Sequence, residues 1–347
     1  MSAQAEAEAR TEAWLASVEA RLEARRSAIR GPKPSRRRRR GRIAVVTDSA
    51  AALPQDDAGG VRLGRLARTV VQVPIPVMIE RSHHETQIYP EASEELRRDL
   101  PLALAQGAAV RTSRPSPGRL AETYRALAKE GFAGIVSVHL SSRLSGTVDA
   151  ARLAAEEVPV PVHVVDSKQA GLALGHAVIE AAITAQLGGT LAQTSEVAER
   201  TAAASTAFVT VPSLEQLRRG GRITALASLL GSLLWVKPLL ELKDGELHLL
   251  ERPRTWPRAV ERLLAVSRTA AQQEHAAAAG QVQLGVHCFG EYQQALRLAE
   301  SLQPAVSGPV PVLDLPPALG AHLGLGAMAV TVSRPASYSF PSSAAPR

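Results

Sequence analysis

Ile135-Val-Ser-Val-His-Leu-Ser-Ser-Arg-Leu-Ser-Gly-Thr-Val-Asp149 begins as a short apolar run and ends as the start of a helix. Ile135, Val136, Val138 and Leu140 suit a parallel strand covered on both faces. Ala150, Ala151, Leu153, Ala154 and Ala155 then carry a helical pattern. Between them lie the hydroxyls of Ser141, Ser142, Ser145 and Thr147, with Gly146, where a strand's carboxyl end meets a helix amino terminus. The first N–H groups of a helix lack intrahelical partners and carry partial positive charge. A carboxylate or phosphate can take those donors, hydroxyls add more, and Gly146 presents no Cβ to hold the ligand off. Capping of the helix by Ser145 or Thr147 uses the same hydroxyls, and the pattern alone leaves both readings open.

Strands and helices alternate on either side of this stretch. Strands are predicted over 42–49, ending in Asp48-Ser49, and over 162–167, ending in Asp166-Ser167, with helices over 91–105, 120–129, 169–187 and 194–204. That alternation implies βαβ units and a largely parallel sheet. Ligands of such sheets sit outside the strands' carboxyl ends, where Thr112, Ser145 and Asp166 would fall. The run 70–79 is extended, but Pro74 and Pro76 cannot donate to a ladder, which assigns it to a sheet edge. A second unit begins near Thr206. It contains a short helix over 214–219 stopped by Gly220-Gly221, an apolar segment over 225–235, and an Asp244-Gly245 hairpin signal. Strands over 282–287, 310–313 and 327–332 follow, with Gly320-Ala-His-Leu-Gly-Leu-Gly326 before the last.

At 347 residues the chain has room for two domains with their own cores. One cysteine, Cys288, excludes an internal disulfide and points to a reducing cytoplasm. The first thirty residues lack the apolar core of a signal peptide, and no apolar run approaches ~20 residues. Residues 1–42 hold twelve basic and five acidic side chains, a net of +7 that equals the net charge of the whole chain. Residues 43–347 therefore sum to zero, and no specific nucleic-acid partner is expected of them. Residues 3–29 read as a helix with a narrow apolar stripe at Trp14, Val18 and Leu22. After Gly31-Pro-Lys-Pro-Ser35 come Arg36, Arg37, Arg38, Arg39 and Arg40, read as a solvated tether, with an anionic membrane surface as the alternative partner. The tail from Arg334 is expected to be loose.

Several segments, in one order, resemble the DegV family. They are Val-Thr-Asp-Ser at 46–49, Thr-Ser-Arg-Pro-Ser-Pro-Gly at 112–118, His-Leu-Ser-Ser-Arg-Leu-Ser-Gly-Thr at 139–147, Val-Asp-Ser-Lys at 165–168, Leu-Arg-Arg-Gly-Gly-Arg-Ile at 217–223, Leu-Leu-Gly-Ser-Leu-Leu at 229–234 and Lys-Pro-Leu-Leu at 237–240. The resemblance implies a two-domain α/β fold: a mostly parallel amino-terminal domain (43–205) and a mixed α/β carboxy-terminal domain (206–333). They are flanked by a helical, basic extension (1–41) and a flexible tail (334–347). It implies a non-catalytic protein without cofactor that binds a long-chain fatty acid between the domains and presents the carboxylate to a separate fatty acid kinase catalytic subunit for phospholipid metabolism. By the same analogy Thr112, Ser145, Gly146 and His322 hold the carboxylate, with Ser113, Ser141 and Ser142 as neighbours, and Arg218, Arg219 and Arg222 form the kinase-docking patch. This chain carries apolar residues where the family is usually polar, in Asp48-Ser-Ala-Ala-Ala-Leu-Pro54 and around His322.

The competing class is a serine hydrolase using Ser145, and a more distant one a dihydroxyacetone-kinase-like binder of a small substrate. Gly-x-Ser-x-Gly and Gly-x-x-x-x-Gly-Lys-Ser/Thr are both absent from the sequence, and no close set of His, Cys, Asp and Glu suggests a metal. Without the resemblance His322 reads as a packed or solvent-facing side chain, and His139 and Cys288 read as core residues.

Overall fold

The computed structural model describes residues 2–29, 41–56, 59–80, 86–89, 93–221, 236–277 and 282–336. Arg36 to Arg40, Arg222, the apolar segment expected over 225–235 and residues 337–347 of the tail lie outside them.

The first lobe is built on four parallel strands: β1 (Ile43–Asp48), β2 (Val70–Val73), β6 (Gly134–His139) and β7 (Val162–Asp166), in the order β2-β1-β6-β7. The run 70–79 does not continue as one strand. Pro74 and Pro76 remove two ladder donors, so β2 ends as the sheet edge and β3 (Val77–Glu80) enters a separate antiparallel sheet between β4 (Thr86–Tyr89) and β5 (Val110–Thr112). Ile75, between the prolines, turns its N–H to Ser49 Oγ at 3.0 Å.

Helix boundaries follow the caps. Between α2 (Glu94–Ala105) and the strands, α3 (Pro117–Lys129) starts with Pro117 behind Ser116, whose Oγ accepts from Arg119 N. After α4 (Thr147–Ala155) and α5 (Leu172–Gln186), α6 (Leu191–Ala203) opens on a reciprocal Thr190–Gln193 capping box. All fifteen residues of α5 are buried. It packs on β1 and β6 on one side, and on β8 (Ser205–Thr210) and β13 (Met328–Ser333) of the second lobe on the other.

The second lobe is a six-stranded mixed sheet that adds β9 (Leu239–Lys243), β10 (Glu246–Glu251), β11 (Gln283–Cys288) and β12 (Val312–Asp314), in the order β10-β9-β8-β13-β11-β12. Asp244 and Gly245 make the β9–β10 turn with φ of 51° and 87°, the double positive φ that an Asp-Gly turn supplies. Helices α8 (Trp256–Ala277) and α9 (Tyr292–Leu302) cover one face of this sheet, where Phe208, Val286 and Val330 form a core. The short helices α7 (Glu215–Arg219) and α10 (Pro317–Leu323) complete the lobe. The fold is thus α/β in two domains, one parallel and one mixed.

The amino-terminal helix α1 (Ala3–Ala28) buries the apolar stripe read in its sequence. Trp14, Val18 and Leu22 are 2%, 1% and 2% exposed and belong to the same core as α5. With Ala7 and Thr11, also buried, they form one row at spacings of three and four, the face a helix buries. Among the described residues no helix is long and apolar enough to cross a membrane.

Candidate functional site

Strand alternation creates a cavity between the lobes. On β8, β13 and β11, residues facing away from α8 and α9 are Ala207 and Val209, Ala329 and Thr331, and His287. Two alanines at the middle of this face leave the sheet without bulk there. The space above it is walled by Ile75, Leu140 and Leu144 from the first lobe and by Leu242, Leu247 and Leu319 from the second. The cleft has about 100 Å³ of free volume. Its lining is overwhelmingly aliphatic.

Three of the polar lining residues gather where α10 meets the first lobe, away from His287 and Thr331 on the sheet. Thr112, the last residue of β5, and His322, in the last turn of α10, are 210 residues apart in sequence, yet Thr112 Oγ1 and His322 Nε2 lie 2.8 Å apart. Ser145 lines the same cavity, its Oγ 2.9 Å from Thr147 Oγ1 at the head of α4. Thr112, Ser145 and His322 are thus brought together at one cavity. Gly146 stands beside them as the residue before α4, and a Cβ there would come 2.9 Å from Arg114 Nη1.

Ser113, Ser141 and Ser142, expected as neighbours of the carboxylate, are not among the residues lining the cavity. Ser113 is exposed and donates to its neighbour Arg114's carbonyl at 3.2 Å. Ser141 is fully buried and donates to Gly245 O in the hairpin of the other lobe at 2.7 Å. Ser142 is exposed and donates to Asp166 Oδ2 at 2.5 Å, while its N–H reaches Asp166 Oδ1. Both serines close the turn after β6 and leave Ser145 as the hydroxyl that points inward.

Arg218 and Arg219 are exposed on α7 and share Glu215, each at 2.8 Å. Their hydrogen bonds, Arg218 first, hold the Glu215 carboxyl down at about 2. Arg219 also donates to Gly107 O. Gly220 follows directly and lies so close to the His322 imidazole that a Cβ would overlap it. The arginine-bearing helix is therefore the backing of the histidine.

His287 is a cavity residue that no motif signalled. It is 1% exposed, and its Nε2 accepts the Leu172 N–H at 3.1 Å, which fixes the hydrogen on Nδ1. Burial lowers its pKa to about 4. His176 on α5 is lowered to about 3, by burial first and then by Arg21 and His287. Both are neutral when folded and protonated when unfolded below about pH 6.5. The unfolded chain then binds more protons, so stability falls as pH drops from 6.5 and levels off near 4 and 3. The urea midpoint should fall across that window, and His176→Leu should flatten the slope; equal slopes would contradict the assignment.

A Ser-His-Asp chain does exist, but it is sealed. His139 Nδ1 lies 2.9 Å from Asp48 Oδ2, and its Nε2 lies 2.8 Å from Ser137 Oγ, which meets Tyr124 OH at 2.7 Å. Ser137, His139 and Asp48 are 0% exposed, so no substrate reaches them and the network serves the strand ends. The hydroxyl of Ser145 meets Thr147, whereas a nucleophile needs a base. Burial pushes the Cys288 thiol up to about 12, so it stays protonated. Among the described residues no group of three or more His, Cys, Asp or Glu could hold a metal.

A family model described as an uncharacterised protein of the DegV family matches residues 42–334. A DegV domain-containing protein of Streptomyces coelicolor is 41% identical over 293 residues, covering 84% of this chain and 98% of the relative. Among solved structures, a DegV family protein from Thermus thermophilus, reported for its fatty acid binding, is 32% identical with a TM-score of 0.72, covering 84% of this chain and 99% of that one. DegV from Bacillus subtilis, described as a fatty acid binding protein, is 26% identical with a TM-score of 0.70, covering 85% and 99%. The range matched by the family model begins at residue 42, so α1 lies outside it.

Proposed function

The chain belongs to the DegV family, and from that premise we propose that it binds a long-chain fatty acid in the interdomain cavity, with the carboxylate at Thr112, Ser145 and His322. The observation that carries this is the 2.8 Å contact between Thr112 and His322, made across the two lobes at the rim of an aliphatic cavity. Burying ~14 methylenes at ~0.8 kcal/mol each supplies on the order of 11 kcal/mol before ordering costs. An acid headgroup cannot follow its chain into a dry site unpaired. Two hydroxyls and an imidazole answer that need. The fatty-acid-binding relatives of Thermus thermophilus and Bacillus subtilis support the same ligand class.

The second part of the reading is that the protein is a carrier subunit. The acid headgroup sits under α7, and Arg218 and Arg219 on that helix are exposed for a separate fatty acid kinase catalytic subunit, which would phosphorylate the carboxylate. Native mass spectrometry of the purified full chain, followed by lipid extraction, tests the first part. A bound long-chain fatty acid is expected. A ligand-free chain that takes up no added oleate would overturn it. For the second part, Arg218→Ala with Arg219→Ala should leave oleate affinity intact and reduce ATP-dependent acyl-phosphate formation with the kinase subunit; unchanged formation would remove α7 from the docking surface.

A further inference from the structure

The helix outside the matched family range is fastened to both lobes. Its carboxy-terminal half is seated on the first: Trp14, Val18 and Leu22 enter the core around α5, and Arg21 and Arg25 converge on the fully buried Glu180 carboxylate. Glu19 pairs with Arg65 at 2.7 Å on the same side. Its amino-terminal half is seated on the second lobe. Ala7 joins the core under β11 and α9, the Thr11 hydroxyl donates to Val312 O of β12 at 3.0 Å, and Arg10 lies 3.7 Å from Glu300 of α9. A helix of 26 residues is ~39 Å long, enough to cross the seam between the lobes.

The two seats are unequal. The first combines three large buried side chains with a buried ionic node. The second sets α1 against α9 and β12, with Ala3 and Ala7 at the core there, one hydroxyl bond, and an ion pair whose Glu300 is mostly exposed, and such pairs contribute little. The first seat is linked through α5 to the cavity wall, which Gly171 lines. The Trp14 ring centre is 6.2 Å from that of His176 on α5, one turn along from Leu172, whose N–H is held by His287 of the second lobe.

We propose that α1 is an intramolecular strap that must release the second lobe before the interdomain cavity opens, and so sets the rate at which ligand exchanges. The ligand's identity rests on the fatty-acid reading; the motion does not. The test uses the full chain carrying Arg10→Cys and Glu300→Cys, which joins α1 to the second lobe through a short bismaleimide; the native Cys288 is buried. The linked chain should release cis-parinaric acid about tenfold or more slowly than the same variant unlinked. It should also show slower amide hydrogen exchange in the segment 170–176. Thr11→Val, which removes the hydroxyl shared between Val312 O and Ala7 O and leaves the first seat in place, should accelerate both. Equal release and equal exchange in linked and unlinked chains would overturn the strap. If the chain binds no cis-parinaric acid at all, the fatty-acid reading fails, and the exchange comparison still decides the strap.

Discussion

Thr112→Val combined with Ser145→Ala is expected to lower fatty-acid affinity by roughly two to four orders of magnitude. Each hydroxyl removed deprives a buried carboxylate of one charge-assisted hydrogen bond, worth ~1.5–3 kcal/mol, and every ~1.4 kcal/mol is tenfold in affinity. The side chains keep nearly their shape, so the aliphatic cavity is untouched and the loss should fall on the headgroup alone. The methyl ester of the same acid provides the internal standard. It carries no charge to desolvate, so its weaker binding to the native chain should change little in the double variant. Fluorescence titration of acid and ester against both proteins reads the difference directly. If acid and ester lose affinity in parallel, the cavity has been damaged instead. If neither changes, the carboxylate lies elsewhere.

What the sequence made legible is what local chemistry determines. The strand-turn-helix at 134–155, the Ser116-Pro117 start of α3 and the Asp244-Gly245 turn all stand where residue preferences put them. Thr112 could be placed at a strand end, but His322 and its meeting with Thr112 could be nominated only by resemblance, because no spacing rule connects residues 210 apart. Ser141 and Ser142 show the limit of composition as evidence. Both are hydroxyls in the right loop, but one is spent on the opposite hairpin and the other on Asp166. His287 left no signal because its role comes from strand pairing: register places it beside Ala329, on the face α5 covers. The stripe of α1 was legible at Trp14, Val18 and Leu22, but what covers it was not. Its buried row at 7, 11, 14, 18 and 22 is narrow, but its partner α5 is buried all round and offers a seat that a surface helix would not.

That seat contains the residue whose loss should cost the most stability. Glu180 is 0% exposed on a helix otherwise made almost entirely of apolar side chains. Arg21 Nη1 donates to Oε1 at 2.7 Å, and Arg25 donates to Oε2. Burial weighs against the charged form of Arg21, and Glu180 is the first group that restores it. Glu180→Ala therefore leaves a buried guanidinium without its counter-charge as well as a void, and removal of one member of such a node costs ~3–5 kcal/mol. The urea midpoint should fall accordingly, with the slope unchanged if unfolding stays two-state. Replacing all three residues, Glu180→Leu with Arg21→Met and Arg25→Leu, should recover most of that loss, because an apolar set of similar volume needs no desolvation. The contrast matters more than either value. If the single and triple variants are destabilised equally, the node contributes through packing. If the single variant is as stable as the native chain, α1 is held by Trp14, Val18 and Leu22 alone, and the charge pairing is incidental to its seat.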